Sequence, residues 1–498
     1  MTQACDLAAL EARRLIGVKK LSATELLESC VARIAAVNPA VNAMTAMDVE
    51  AARATAKAAD AATMAGEALG PLHGLPLGIK DLESTKGLRT TWGSPLFADH
   101  VPDHDEGMVR RLRQAGGNVL GKTNVPEFGL GANSRNLIWG ATGNAFNPAY
   151  NAAGSSGGSA VALACGMIPL ATGSDTGGSL RNPAAFNGIV GYRPSTGLIP
   201  SERRGLGWSP LPMLGPMARN VPDLAFMLGA MASDDVADPL AYSFPGVAMR
   251  ARPDLFHPVR PADLSAMTLA FTEDFGLAPT EGIVRRAFGK VVAALAPMFA
   301  RAEEATPDVS GADEAFEVLR SVNVLSSLGP LVDRSPESCG PNMHANVAEA
   351  RRYSFADNSA ALTRQTQIYR NFQAFFARHS VLISPAICCS PRPWRELYPA
   401  TIDGKPTRSY FHWLSLAYYV TLTGHPAMSL PVGLDEMGFP FGLQIVGPRG
   451  GDVLVLQVAA AIEAAFAGDA TFGRPVPDVA ALAKAPPISG MAGFKSWD

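Results

Sequence analysis

Three stretches of this 498-residue chain carry side chains able to do nucleophilic chemistry. Ala153-Gly-Ser-Ser-Gly-Gly-Ser159 and Asp175-Thr-Gly-Gly-Ser179-Leu-Arg181 present hydroxyls in glycine-rich turns. Gly74-Leu-Pro-Leu-Gly-Ile-Lys80-Asp81 ends an apolar strand on an amine. A serine hydroxyl is a poor nucleophile until a base takes its proton. Lysine can serve only when neutral, and its unperturbed pKa of about 10.4 is too high. Burial disfavours the ammonium form, and Leu75, Leu77 and Ile79 are suited to desolvating Lys80. Successive strand side chains diverge, so Asp81 is expected to point away from the amine. Any one stretch alone reads as a turn or a solvated strand end; the three together do not.

Other motif matches fail on context. Gly116-Gly-Asn-Val-Leu-Gly121-Lys122-Thr123 fits the phosphate-loop pattern, but that loop must follow a strand and open a helix. Here the best strand candidate, 118–120, lies inside the loop, and Pro126 follows too soon. Ser174 to Ser179 superficially resembles the nucleophile loop of trypsin-like proteases, yet His73, His100 and His104 have no evident partnership with it. Gly154-Ser-Ser-Gly-Gly158 fits a nucleophile elbow, which would need an acid and then a histidine downstream. His412 and His425 read instead as packing or pocket-lining residues.

The elements around these stretches have the texture of an α/β protein. Ser22 and Glu25 have capping-box spacing ahead of a helix bearing Leu26, Leu27, Val31, Ile34 and Val37 on one face, which Asn38-Pro39 is expected to end. Residues 51–66 read as an outer, alanine-rich helix. From 72 to 200, short apolar runs at 75–79, 119–120, 168–172 and 188–190 are punctuated by Gly, Ser, Asn and Pro, as in buried strands feeding tight loops. Residues 222–375 read as helical, including 284–299 and 348–376. Strand texture returns at 380–384 and 427–447, a helix follows at 452–467, and the tail from Pro475 reads as loop.

Composition narrows the function classes. Forty-two basic against 45 acidic side chains argue against an electrostatic nucleic-acid binder. Cys5, Cys30, Cys165, Cys339, Cys388 and Cys389 fit neither a disulfide framework nor a zinc site, and read as reduced thiols of a cytoplasmic protein. The first residues resemble neither a signal peptide nor a membrane anchor, and no run of 18 apolar residues occurs, so no membrane span is expected.

With these residues in view, the chain resembles the amidase signature family. Ser155 and Ser179 stand 24 positions apart, and Lys80 lies 75 before Ser155, as in that family. Gly121-Lys-Thr-Asn124, Glu127-Phe128, Gly188 with Gly191, Gly215-Pro-Met, Thr423-Gly-His-Pro-Ala427, Ser429-Leu-Pro-Val-Gly433 and Gly442-Leu-Gln444 extend the likeness. The resemblance implies one amidase domain over 1–498, with its signature core at about 72–200 and a variable pocket region at about 240–415. The implied fold is an α/β/α sandwich around a large, twisted mixed sheet. It also implies Ser179 as nucleophile, Ser155 as proton relay behind a cis Gly154–Ser155 bond, and Lys80 as base, with no cofactor or metal. Backbone N–H groups of Thr176, Gly177, Gly178 and Ser179 would form the oxyanion hole. Asp175, Arg181 and Ser156 would support the loops.

The expected substrate is a small or aryl/alkyl amide, with water as the second reactant. Trp139, Trp208, Tyr410 and Trp413 are the pocket candidates. No nucleic-acid or membrane partner is expected, and a homodimer is common for such enzymes. The rival readings are the glutamine-hydrolysing component of a tRNA-dependent amidotransferase, from which 133–136 and Asn182 depart, and a non-catalytic binding protein on the same fold.

Overall fold

Neighbouring residues of the apolar strands divide between two buried clusters. Leu269, Val381, Ile383, Met428, Leu443 and Ile445 join one, whereas Ala270, Leu382, Ala427 and Val446 join the other. Because successive strand side chains face opposite ways, apolar layers cover both faces of the sheet.

This computed structural model describes residues 3–241 and 253–496. In chain order the principal strands are β1 (Met44–Met47), β2 (Pro76–Lys80), β3 (Asn118–Thr123), β4 (Leu170–Asp175), β5 (Val190–Arg193) and β6 (Met213–Ala218). They continue with β7 (Thr268–Phe271), β8 (Arg301–Glu304), β9 (Val381–Pro385), β10 (Ala427–Leu434) and β11 (Pro440–Val446). All join one mixed sheet in the order β1-β3-β2-β4-β6-β5-β10-β11-β9-β7-β8. Among the described residues this is the α/β sandwich expected, with helices flanking a large mixed sheet.

The parallel pairing of β2 and β4 matters most for the site. Leu77 opposes Leu170 and Gly78 opposes Ala171, so the carboxyl ends of both strands share one edge of the sheet. Lys80 closes β2 there, and Ser174 and Asp175 close β4. The helix Gly157–Ala164 is buried throughout and packs on these strands, with Ser155 and Ser156 just before its first turn. Ser159 Oγ donates to the Thr172 carbonyl at 2.8 Å, pinning the helix to β4.

Several local readings need correction. The capping box at Ser22 forms, but the helix Ala23–Val41 runs through Pro39 to a left-handed Asn42. Proline in a last turn removes one N–H only, and Asn38 Oδ1 accepts from the Ala43 and Met44 N–H groups beyond it. The 348–376 run is two helices, Pro341–Ala350 and Phe355–Phe376, the second opened by a Ser354–Asp357 capping box. The region 222–375 also contributes β7 and β8, and the tail contains a short helix, Val479–Leu482. The strand Asn118–Thr123 occupies all but the first two residues of the phosphate-loop match. No helix among the described residues is long and apolar enough to cross a membrane.

Candidate active site

Lys80 is sealed from solvent, and its Nζ lies 2.8 Å from Ser155 Oγ. Nζ also lies 2.9 Å from Ser174 Oγ and 3.3 Å from the Ser174 carbonyl. Burial pushes the Lys80 amine down to about 8; Glu83 and Asp175 oppose that shift without cancelling it. Asp81 takes no part, because its carboxylate accepts from the Thr91 N–H and hydroxyl and from Trp139 Nε1. The Gly154–Ser155 peptide bond is cis.

Glu83, which acts on this amine electrostatically, is an acid that the sequence reading passed over. It is buried, its Oε2 accepts from Thr172 Oγ1 at 2.9 Å, and its Oε1 has no hydrogen-bond partner among the described residues. Burial raises its carboxyl to about 7, against the pull of Lys80 and of Lys122. Lys122, equally buried, donates to the Glu83 carbonyl and to Thr85 Oγ1.

Past β4 the chain turns through Thr176, Gly177 and Gly178 into Ser179. Asp175 organises this turn: Oδ1 accepts from the Gly178 N–H at 2.9 Å and Oδ2 from the Leu180 N–H at 3.2 Å. Burial alone would raise its carboxyl, but the Arg181 and Arg193 guanidiniums outweigh burial and hold it well below the usual carboxylate range. Arg181 is fully buried and also donates to the Ala417 carbonyl, Gln444 Oε1 and Thr421 Oγ1, so it braces the loop. Ser156 Oγ accepts from the Ser174 N–H at 3.4 Å. Gly178 sits at φ +109, where a Cβ would meet Ala417 and Asn182 at 2.5 Å. Its N–H is committed to Asp175; those of Thr176, Gly177 and Ser179 have no acceptor among the described residues. Of the four N–H groups expected to form an oxyanion hole, that of Gly178 is already bonded and three are free among the described residues. The half-buried Ser179 hydroxyl also makes no hydrogen bond among the described residues.

Comparison with known proteins places this arrangement. The sequence profile described as Amidase matches residues 25–456. The chain belongs to the amidase signature family. An acylamidase of Rhodococcus erythropolis is 34% identical over 464 residues, covering 92% of this chain and 95% of that protein. The glutamyl-tRNA(Gln) amidotransferase A component of Acidothermus cellulolyticus is 34% identical over 495 residues, covering 92% and 94%. The solved structure of a bacterial aryl acylamidase of the same family superposes with a TM-score of 0.85 at 26% identity, over 92% of this chain and 96% of that one.

The chain is thus an amidase-family enzyme, a hydrolase of amide C–N bonds, and a cavity of about 380 Å³ opens beside Ser179. Ser174, Thr176, Gly177 and Ser179 form one wall, with Glu83 and Glu106 near them. The helix Ala312–Arg334 forms another, through Phe316, Arg320, Asn323, Val324, Ser327 and Leu328 at helical spacing. Of the four aromatic pocket candidates, Tyr410 lies on this wall. Trp413 is fully buried and donates Nε1 to the Tyr410 carbonyl, so it supports the wall from behind. Trp139 is held by Asp81 and Thr91 under the Arg89 guanidinium, and Trp208 is 78% exposed; neither lines the cavity.

Sequence reasoning missed Ser174, Glu83 and Arg320. Strand alternation gave a signal for the first, since Thr172 and Ser174 share one face of β4, toward β2.

Proposed function

We propose that this enzyme hydrolyses a small or aryl/alkyl carboxylic amide through an acyl-enzyme on Ser179, with Ser155 as relay and Lys80 as base. The observation that carries the proposal is the 2.8 Å contact between Ser155 Oγ and an amine sealed from water. A neutral amine has two N–H donors and one lone pair. Donating to the two Ser174 oxygens leaves that lone pair for the Ser155 O–H. Turning the free Ser179 hydroxyl toward Ser155 completes the chain. Ser179 then attacks the amide carbonyl while its proton passes through Ser155 to Lys80. The oxyanion is received by the N–H groups of Thr176, Gly177 and Ser179, each such donor being worth about 3–4 kcal/mol. The proton returns along the same path to the leaving nitrogen, since an amide anion does not depart unaided. Water repeats the cycle on the ester.

Steady-state turnover of aliphatic, aryl, peptide-like and carbamate substrates, with product mass analysis, tests this reading. At least one small or aryl/alkyl amide is expected to be cleaved, and Ser179→Ala is expected to abolish its cleavage. Equal turnover in that variant overturns the assignment. The similarity to the A components of glutamyl-tRNA(Gln) amidotransferases supports a second reading, a glutamine-hydrolysing member of a multi-protein assembly. Co-purification with partner proteins, or glutaminase activity exceeding that on all other amides, would favour it.

The pH dependence supplies a separate prediction. If neutral Lys80 is the base, kcat/KM rises with pH through a midpoint of about 8 and levels off roughly one pH unit or more above it. Glu83 stabilises the ammonium form, so Glu83→Gln is expected to move the acid limb to lower pH. A limb that stays in place, or moves upward, removes Glu83 from control of the base.

A further inference from the structure

The cavity wall formed by the helix Ala312–Arg334 carries a buried cation with unused hydrogen-bonding capacity. Arg320 is 8% exposed, and its Nη2 donates to Asn346 Oδ1 and to the Tyr410 hydroxyl. The guanidinium carbon lies 5.2 Å from the Tyr410 ring centre and 4.8 Å from that of Phe411. Its Nη1 is buried without any partner, and no carboxylate lies within ion-pair distance among the described residues. Buried guanidinium groups normally find an anion, because an uncompensated buried charge is strongly unfavourable. The two aromatic faces offset part of that charge but leave Nη1 unsatisfied. Glu83 and Glu106, the acids lining the same cavity, are both shifted toward their neutral forms by burial.

The position of Arg320 relates this cation to the scissile bond. Phe316 stands against Gly177 of the Ser179 loop, where a Cβ would lie 3.1 Å from its ring. Arg320 follows Phe316 by one turn on the same helix face, roughly 6 Å along the axis. An anion there would meet the Nη1 N–H groups of a guanidinium already fixed by Asn346 and Tyr410.

We propose that Arg320 is a specificity-determining residue that binds a carboxylate carried by the amide substrate. The inference rests on amide cleavage at Ser179 and narrows its substrate to carboxylate-bearing amides. The carboxylate can sit on either the acyl or the amine portion, and the test separates the two. Succinamate, glutaramate and adipamate are compared with the neutral alkyl amides of the same chain length. N-acyl amino acids are compared with the matching N-acyl alkylamines.

For the native protein, one of these anionic series is expected to exceed its neutral counterparts in kcat/KM by about thirtyfold or more, the low end for a charge matched to a buried, hydrogen-bonded partner. In Arg320→Gln that ratio is expected to fall toward unity, mainly through KM, and Arg320→Lys should restore only part of it, because an ammonium lacks the planar group that Asn346, Tyr410 and Phe411 hold in place. A native ratio near one in both series, or a ratio unchanged in Arg320→Gln, overturns the proposal. Calorimetric binding of glutarate and of N-acetylglycine to Ser179→Ala keeps the two claims apart. Binding that disappears when Arg320→Gln is added sustains the anion site even if no amide is turned over, in which case it is the hydrolytic reading that fails. No binding of either carboxylate overturns the anion site even if neutral amides are cleaved.

Discussion

Lys80→Ala is expected to lower kcat/KM by on the order of 10⁴-fold or more while the protein stays folded. The size of the loss follows from concerted action: a relay without its terminal base leaves both serine hydroxyls protonated, so little survives beyond binding and the oxyanion donors. The fold should survive, because a fully buried amine is itself expensive to desolvate and its partners are two serines rather than a carboxylate. Steady-state kinetics with circular dichroism and thermal unfolding checks both parts. A variant retaining more than a tenth of native kcat/KM would remove the lysine from the mechanism. A variant that is inactive only because it is unfolded would show in the melting curve, and Lys80→Met, which keeps the side-chain volume, then repeats the test.

Asp175→Asn is expected to destabilise the protein by about 3–5 kcal/mol, the range for removing one partner of a buried ion pair. Asp175 stands between two fully buried guanidiniums, with Arg181 Nη2 at 3.0 Å and Arg193 Nη1 at 3.3 Å from Oδ1. Asparagine keeps the shape but loses the charge and one acceptor, leaving two cations facing each other without water. The Gly178 and Leu180 N–H groups lose a charged acceptor as well, so the Ser179 loop should loosen and activity should fall with stability. The folded carboxyl titrates below its unfolded value of about 3.9, so its stabilising contribution is present above that pH and is lost as pH falls toward the folded value. The gap between native and variant proteins in urea unfolding should therefore be full at pH 7 and narrow only in strong acid. A difference under about 1 kcal/mol at pH 7 would mean that the arginines find other partners.

The residues that carry the proposed chemistry were readable because each sits in a short, glycine-rich stretch or at the end of an apolar strand. Lys80, Ser155 and the Asp175 loop depend on local backbone geometry, and local geometry leaves marks in sequence. Glu83 and Arg320 leave none. Glu83 reaches Thr172 across the parallel β2–β4 pairing, and Arg320 becomes a wall residue only because the helix Ala312–Arg334 packs over the Ser179 loop. Both relations are tertiary. β8 (Arg301–Glu304) was hidden for another reason: an edge strand with three charged residues has no apolar alternation to read. Among the aromatics, composition could not separate Trp413, buried behind the wall, from Tyr410, which lies on it.

The central claim, a neutral Lys80 acting through Ser155 on Ser179, is tested most directly by the rate at which a fluorophosphonate modifies the protein as a function of pH. The modified residue is located by peptide mass spectrometry in the native protein, Lys80→Ala and Ser155→Ala. The expected result is a single modified residue, Ser179, with a rate that rises with pH through a midpoint of about 8 and falls by orders of magnitude in both variants. Modification at another serine, or a rate at Ser179 indifferent to the loss of Lys80, would contradict it.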